Sequence, residues 1–168
     1  MFAGADRAIL WRGPRLQRSL EQFLSDVWWG EPDVLLLDLA PGTGDMAISV
    51  AQALPNAELV VVTTPQPSAS DIAVRSGLVA LQVPMKVRGV VENMSYFQCP
   101  GCGEKYKIFG DSHLEDVANA NGLKILGRLP VDPKLAAACD KGVIELFDGD
   151  WLDQAADEIE GALKVEQA

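Results

Sequence analysis

The chain has 168 residues, 48% of them apolar and 23% charged, ordinary proportions for a globular protein able to bury roughly 70% of its unfolded surface. A net charge of −10 argues against nucleic-acid binding, which needs clustered Lys and Arg, and no apolar run approaches the roughly 20 residues that span a bilayer. Three cysteines, two of them crowded together, do not make a disulfide framework, and the first residues lack a signal-peptide pattern, so the expected location is the cytoplasm.

Charge is uneven along the chain. Arg7, Arg12, Arg15 and Arg18 face a single Asp in the first 18 residues, whereas nine carboxylates and only Lys141 and Lys164 follow from Asp140 onward. A solvated acidic C-terminal helix accounts for the second feature, with a partner-docking face as the alternative.

In chain order, "GPRLQRSLEQFLSDVWW" places Leu16, Leu20, Phe23, Leu24, Val27 and Trp28 at helical spacing, and Pro14 suits a first turn. Gly30 and Pro32 end that helix. "DVLLLDLA" is a short continuous apolar run suited to a strand buried on both faces. After "PGTGD", "MAISVAQAL" resumes as a helix. "ELVVVTT" is a second buried strand, and "SASDIAVRSGLVALQ" a helix that Ser68 or Ser70 could cap. "VRGVVENM" is a third strand, followed by a cysteine-bearing turn over 93–110. "DSHLEDVANANG" reads as a helix ending at Gly122, "LKILGRLP" as a fourth strand, "DPKLAAACDKG" as a short helix and "WLDQAADEIEGALK" as an amphipathic one.

Strands alternating with helices predict an open, mostly parallel α/β sheet, doubly wound, over a single domain spanning 1–168. Ligands of such sheets sit beyond the carboxyl ends of the strands, which singles out Asp38 with "APGTGD", then "TTPQ", "ENMS" and "LPVD". The first of these puts a carboxylate before a Gly-rich turn that can aim N–H groups at an anion, with the Asp orienting Mg²⁺ or water. An ordinary strand-to-helix turn with Asp45 as N-cap fits the same residues. A full phosphate loop is not in the sequence: none of the 15 glycines is followed by Lys.

"CPGC", Cys99 to Cys102, differs from a thioredoxin-like motif in following the third strand instead of opening a helix after an early one. A zinc site normally takes four ligands, and there is no second C-x-x-C. The residues alone favour a site shared between two chains, each giving two thiolates to one zinc or one iron–sulfur cluster. A pair of unliganded structural cysteines is the alternative. Cys139 is expected to fill a small core position and His113 to start a helix in solvent. Trp11, Trp28, Trp29 and Trp151 read as packing or partner contacts.

Taken together, "LWRGPRLQRSLEQFLSDVWWGEPDVLLLDLAPGTGD", "VVVTTPQ", "GVVENMSYFQCPGCGEKYKIFG" and "LGRLPVDPKL" resemble the Mrp/ApbC-type iron–sulfur cluster carriers, deviant P-loop ATPases related to the nitrogenase iron protein. The stretches occur in family order over roughly Ile9 to Val143. The resemblance implies a homodimer that binds ATP and Mg²⁺ at the strand ends. It also implies a [4Fe–4S] cluster, bridged by C-x-x-C from each subunit, for delivery to apo iron–sulfur proteins. On that resemblance Cys99 and Cys102 are cluster ligands, and Asp38 is the second-switch carboxylate near Mg²⁺ and the attacking water. Gly42 is a nucleotide-binding position in the turn, Asn93 meets the adenine edge, and Pro130 and Asp132 line the base pocket.

Ala40 departs from the family's P-P-G-T-G-D. The family's first strand, phosphate loop with two lysines and first-switch aspartate precede the matching stretch, so the 168 residues correspond to the C-terminal part of the ATPase fold. The chain reads as a gene fragment, an internal start or a degenerate paralogue, with ATP function weak or lost. "DVLLLDL" is then expected to present an apolar edge in the middle of the sheet that recruits other strands. Rival readings are a non-catalytic module that dimerises with a full-length relative, and a zinc-bound structural dimer.

Overall fold

The computed structural model describes residues 13–39, 45–66 and 85–166. Its centre is three parallel strands, β1 (Glu58–Thr63), β2 (Lys86–Gln98) and β4 (Ile125–Pro130), with β2 between the other two. Runs of valine at 60–62 and 90–91 suit strands, because β-branched side chains pack well on a pleated surface; Val61, Val90 and Val91 are buried, while Val62 faces solvent. The two-residue strand β3 (Lys105–Tyr106) pairs antiparallel with the far end of β2, so the sheet is open and mostly parallel, as the alternating pattern predicts.

Helices α1 (Gly13–Ser25) and α2 (Asp45–Ala53) pack on each other through Leu20, Val50 and Ala51, with Met85 completing a buried cluster. Helix α3 (Leu114–Ala120) inserts Leu114 against Val61 and Val90, and Leu59 touches both clusters, joining them into one core. Helix α4 (Pro133–Lys141) follows β4 directly and ends at Gly142, whose φ of 65° is the left-handed conformation that glycine adopts freely. Helix α5 (Asp153–Glu166) closes the chain, and its approach to β4 is close at Gly127, where an added Cβ would strike the Trp151 carbonyl oxygen.

Two expectations need correction. The apolar run Val34–Leu39 is not a strand: it pairs in none of the ladders, and Leu36 is 80% exposed. A stretch apolar at every position but Asp38 is stable as a strand only with neighbours on both edges and layers on both faces. No described strand flanks these residues, and of them only Leu39 packs against the core. The second correction is Cys139, which is exposed on α4. Leu135 and Ala138 form the half-buried side of that helix, and Cys139 follows Ala138 by about 100° of rotation, which turns it outward.

The third predicted strand also runs further than "VRGVVENM" suggests, continuing to Gln98 across an irregularity. The helix expected from "SASDIAVRSGLVALQ", the turn holding Gly42, and Trp11 lie outside the described residues. His113 is exposed at the start of α3, and Trp28 is 88% exposed, while Trp29 donates its indole N–H to the Phe23 carbonyl at 2.8 Å.

Candidate metal centre

The cysteine turn grows out of β2 through a bulge. The parallel register with β4 shifts once between Val90 and Val91, holds through Glu92, and then breaks until Tyr96 meets Pro130. Within the break Met94 takes a φ of 55°, rare for a residue with a side chain, and the Asn93 Oδ1 accepts the Met94 N–H at 2.8 Å. Such a bulge re-aims a strand. Beyond it Phe97 and Gln98 pair with Tyr106 and Lys105, forming the stem of a hairpin whose tip is Cys99–Glu104.

Backbone bonds fix that tip. The Cys99 N–H donates to the Glu104 carbonyl at 2.9 Å and the Gly103 N–H to the Cys99 carbonyl at 2.8 Å, while the Gln98 side-chain amide donates to the Gly103 carbonyl at 3.1 Å. Gly103 sits at φ 74°, where a Cβ would be strained. The Cys99 thiol is held below its ordinary range, first by the Cys102 N–H, then by the Gly101 N–H and the Cys102 thiol, against a small opposing effect of burial. Hydrogen bonds onto a sulfur favour its thiolate, the form that binds metal.

Both thiols are free, and Cys102 is exposed. Around them Tyr106 donates its hydroxyl to Glu104 at 2.7 Å; that bond, then burial and contact with the Cys102 thiol, pushes the phenol above its usual value. The Lys105 ammonium lies 4.3 Å from the centre of the Tyr96 ring. Among the described residues no three Cys, His, Asp or Glu side chains converge to hold a metal ion. The donor set therefore fits a soft, thiolate-binding metal and fills half of a tetrahedral shell.

The strand-end positions divide. Asn93 lies in the β2 bulge, and Pro130, buried, ends β4 in register with Tyr96. Asp132 is the N-cap of α4 and accepts the Lys134 N–H at 2.7 Å, so part of its role is structural. These three share the carboxyl edge of the parallel sheet. Asp38 is exposed in the irregular segment before α2, and Gly42 is outside the described residues.

Sequence reading missed Glu92, which is fully buried and accepts bonds from Ser95 and Ser112. The signal was available: a carboxylate inside the apolar run "GVVEN" has to be paired or hydrogen-bonded there. A charged cleft at the other end of the sheet, between Glu58, Lys86, Arg88 and α5, already pairs its own charges through the Arg88–Glu58 and Lys124–Glu158 bridges.

A family model described as the NUBPL iron-transfer P-loop NTPase, of the ParA group, matches residues 1–162. The chain belongs to this family. It is similar to the iron–sulfur cluster carrier proteins of Mycobacterium leprae, 49% identical over 148 residues, and Aquifex aeolicus, 46% identical over 142. Each alignment takes in 84% of this chain but 38% and 39% of the relative, so the chain spans about two fifths of the length of these curated relatives. Among solved structures it resembles a nucleotide-binding protein of Archaeoglobus fulgidus in complex with ADP, with a TM-score of 0.73 and 36% identity over 82% of this chain and 56% of that one. The cell-division ATPase MinD of Pyrococcus furiosus, at 20% identity and a TM-score of 0.60 over 90% of this chain and 59% of that one, shares the fold. Among the described residues no helix is long and apolar enough to cross a membrane.

Proposed function

We propose that this chain carries an iron–sulfur cluster as cargo, a [4Fe–4S] unit held between two copies by Cys99 and Cys102 of each, for transfer to apo-proteins. The observation that carries this reading is the Cys99–Cys102 tip, Cys102 exposed and Cys99 half-buried, with backbone N–H groups favouring the Cys99 thiolate, in a member of an iron-transfer family. Two thiolates are half of a four-sulfur shell, and a two-fold axis through the tip supplies the rest symmetrically. Exposure suits cargo, because a cluster that is to be handed on has to be reachable by the acceptor. Tyr96, Phe97 and Tyr106 on the hairpin stem would flank the shared site. Thiols that stay free suit a reducing compartment, the cytoplasm.

The carboxyl edge of the sheet forms the second part of the reading. Asn93, Pro130 and Asp132 would meet the base of a nucleotide, with Gly42 and Asp38 toward its phosphates and Mg²⁺. The ADP bound by the Archaeoglobus fulgidus relative supports it.

Anaerobic reconstitution with iron and sulfide tests the proposal. The expected product is a brown dimer with about four irons per two chains. Cys99→Ser or Cys102→Ser should remove the colour and weaken the dimer, and Cys139→Ser should do neither. Bleaching by Cys139→Ser, a complete cluster on a monomer, or retention of zinc with no iron would each overturn it.

A further inference from the structure

Glu92 is the only buried charged side chain among the described residues, and its two oxygens are divided between the two ends of the cysteine arm. Oε2 accepts the Ser95 hydroxyl at 2.5 Å, where the chain enters the arm. Oε1 accepts the Ser112 hydroxyl, where the chain leaves it. Everything between, including the bulge exit, the hairpin and both thiols, is a loop closed on one carboxylate. Ser112 extends the connection: its oxygen also accepts the Leu114 N–H at 3.1 Å, at the first residue of α3. On the other side Arg128 of β4 faces Glu92 Oε2 from its Nε at 3.6 Å and binds Glu115 of α3 at 3.0 Å. Strand β2, strand β4, helix α3 and both ends of the arm therefore meet at one buried group.

An ionised carboxylate is costly out of water, and an apolar side chain of like size would fill the same space with no such cost. What an apolar side chain would not do is hold two hydroxyls from residues 95 and 112 to a single point. We infer that Glu92 is a positioning residue whose buried carboxylate clamps the base of the cysteine arm and fixes where Cys99 and Cys102 are presented. Between the two serines the arm is also tied to β4, where Tyr96 pairs with Pro130 and its carbonyl accepts the Val131 N–H at 2.7 Å; beyond Tyr96, residues 100–111 are all exposed and the β2–β3 ladder has only two residue pairs. Without the clamp the hairpin stays attached through the Tyr96 pairing with β4 and a short stem, its return through residue 112 is untied, and the tip loosens. The importance of this for a shared cluster rests on the function proposed above; the clamp itself does not.

The test uses the full chain as Ser112→Ala and Glu92→Met, the second keeping the side-chain volume close to that of the parent. Amide hydrogen exchange is followed at Cys99 and Gly103, whose N–H groups bond within the arm, and at 89–91 and 125–128 in the sheet. Loss of a hydrogen bond to a buried charge should speed exchange in the arm about ten- to a hundredfold, with the sheet amides unchanged in Ser112→Ala. Unchanged arm exchange in Ser112→Ala overturns the inference. So does a uniform rise across arm and sheet, which would make the network ordinary core packing. Should Glu92→Met fail to fold, Ser112→Ala decides alone, because it removes one tie at a half-buried position. Cobalt(II) titration, read by its thiolate absorption, separates the two proposals. A parent chain that binds no cobalt through its thiols counts against the proposed cargo site, while the exchange result still decides the clamp.

Discussion

Gly89 offers the sharpest test of how the sheet holds the site. It lies in β2 between β1 and β4, and a Cβ placed there would come 2.6 Å from the Lys124 carbonyl oxygen and 2.6 Å from Leu126 Cγ. Ordinary contact begins at 3.4 Å, so relief requires the strands to part by about 0.8 Å or Leu126 to move. Leu126 has nowhere to go, being fully buried. Parting the strands stretches the neighbouring bond from the Val90 N–H to the same Lys124 oxygen, 2.8 Å at present, to about 3.6 Å, beyond hydrogen-bonding range. Gly89→Ala should therefore lose about 1 kcal/mol for that bond and a further ~1–3 kcal/mol for overpacking. Spread over a chain of this size, a loss of ~2–4 kcal/mol lowers the melting temperature by about 4–16 °C. Thermal unfolding followed by far-ultraviolet circular dichroism, parent beside variant, measures it. A melting temperature within 2 °C of the parent would mean the β2–β4 spacing tolerates a methyl, and the close approach at Gly89 would carry no weight.

Further outcomes follow from the same geometry. Gly127→Ala puts a methyl against the Trp151 carbonyl and should displace the start of α5, lowering the melting temperature and changing the near-ultraviolet dichroism of the tryptophans. Burial works against the charged form of Glu58, but bonds from Arg88, 2.5 Å to each oxygen, and from Lys86 outweigh it and hold its carboxyl below the usual 4.5. A value depressed in the folded chain means stability that is complete above the unfolded value and lost as pH falls through the folded one. Glu58→Gln should therefore cost at most about 1 kcal/mol near pH 7, and parent and variant should converge in acid; a constant difference down to pH 3 would contradict the pairing. At pH 7 iodoacetamide should modify Cys99 faster in the folded chain than in urea, since the N–H groups of Cys102 and Gly101 favour its thiolate only when the turn is formed. Equal or slower folded-state modification would remove that support from the metal centre.

The elements that sequence reading located are those whose periodicity is enforced locally. "ELVVVT" and "VRGVVEN" are strands because their β-branched runs suit a pleated sheet, "ILGRLP" is one on the strength of its apolar Ile125, Leu126 and Leu129, and all three pair here. "DPKLAAACDKG" carries its own boundaries, Asp132 as N-cap and Gly142 as the left-handed cap, and the helix obeys both. "DVLLLDL" fails because a strand's existence depends on partners outside its own residues, which no local pattern reports. Cys139 fails for a finer reason: helical phase decides exposure, and one residue's shift from Ala138 carries it from the half-buried side to solvent.

The candidate site shows the same division between chemistry and placement. "CPGC" announces two soft donors, half of the shell proposed above. What those four letters do not contain is the direction of the N–H groups, which depends on Gly103 at φ 74° and on the Cys99–Glu104 bonds that close the tip. Nor do they contain the arm's footing, since Glu92 precedes the first cysteine and Ser112 follows the second, and only the folded chain brings them together. A residue's chemistry can be read where it stands, but its position is set by whichever buried group is strong enough to gather distant segments. In this chain a single carboxylate, too polar to be there for packing, does that for both ends of the arm. If the clamp fails its exchange test, the Tyr96 pairing with β4, the two-pair stem and the Cys99–Glu104 turn would have to hold the thiols in place, and a site shared across a two-fold axis would then rest more on the dimer partner for its geometry.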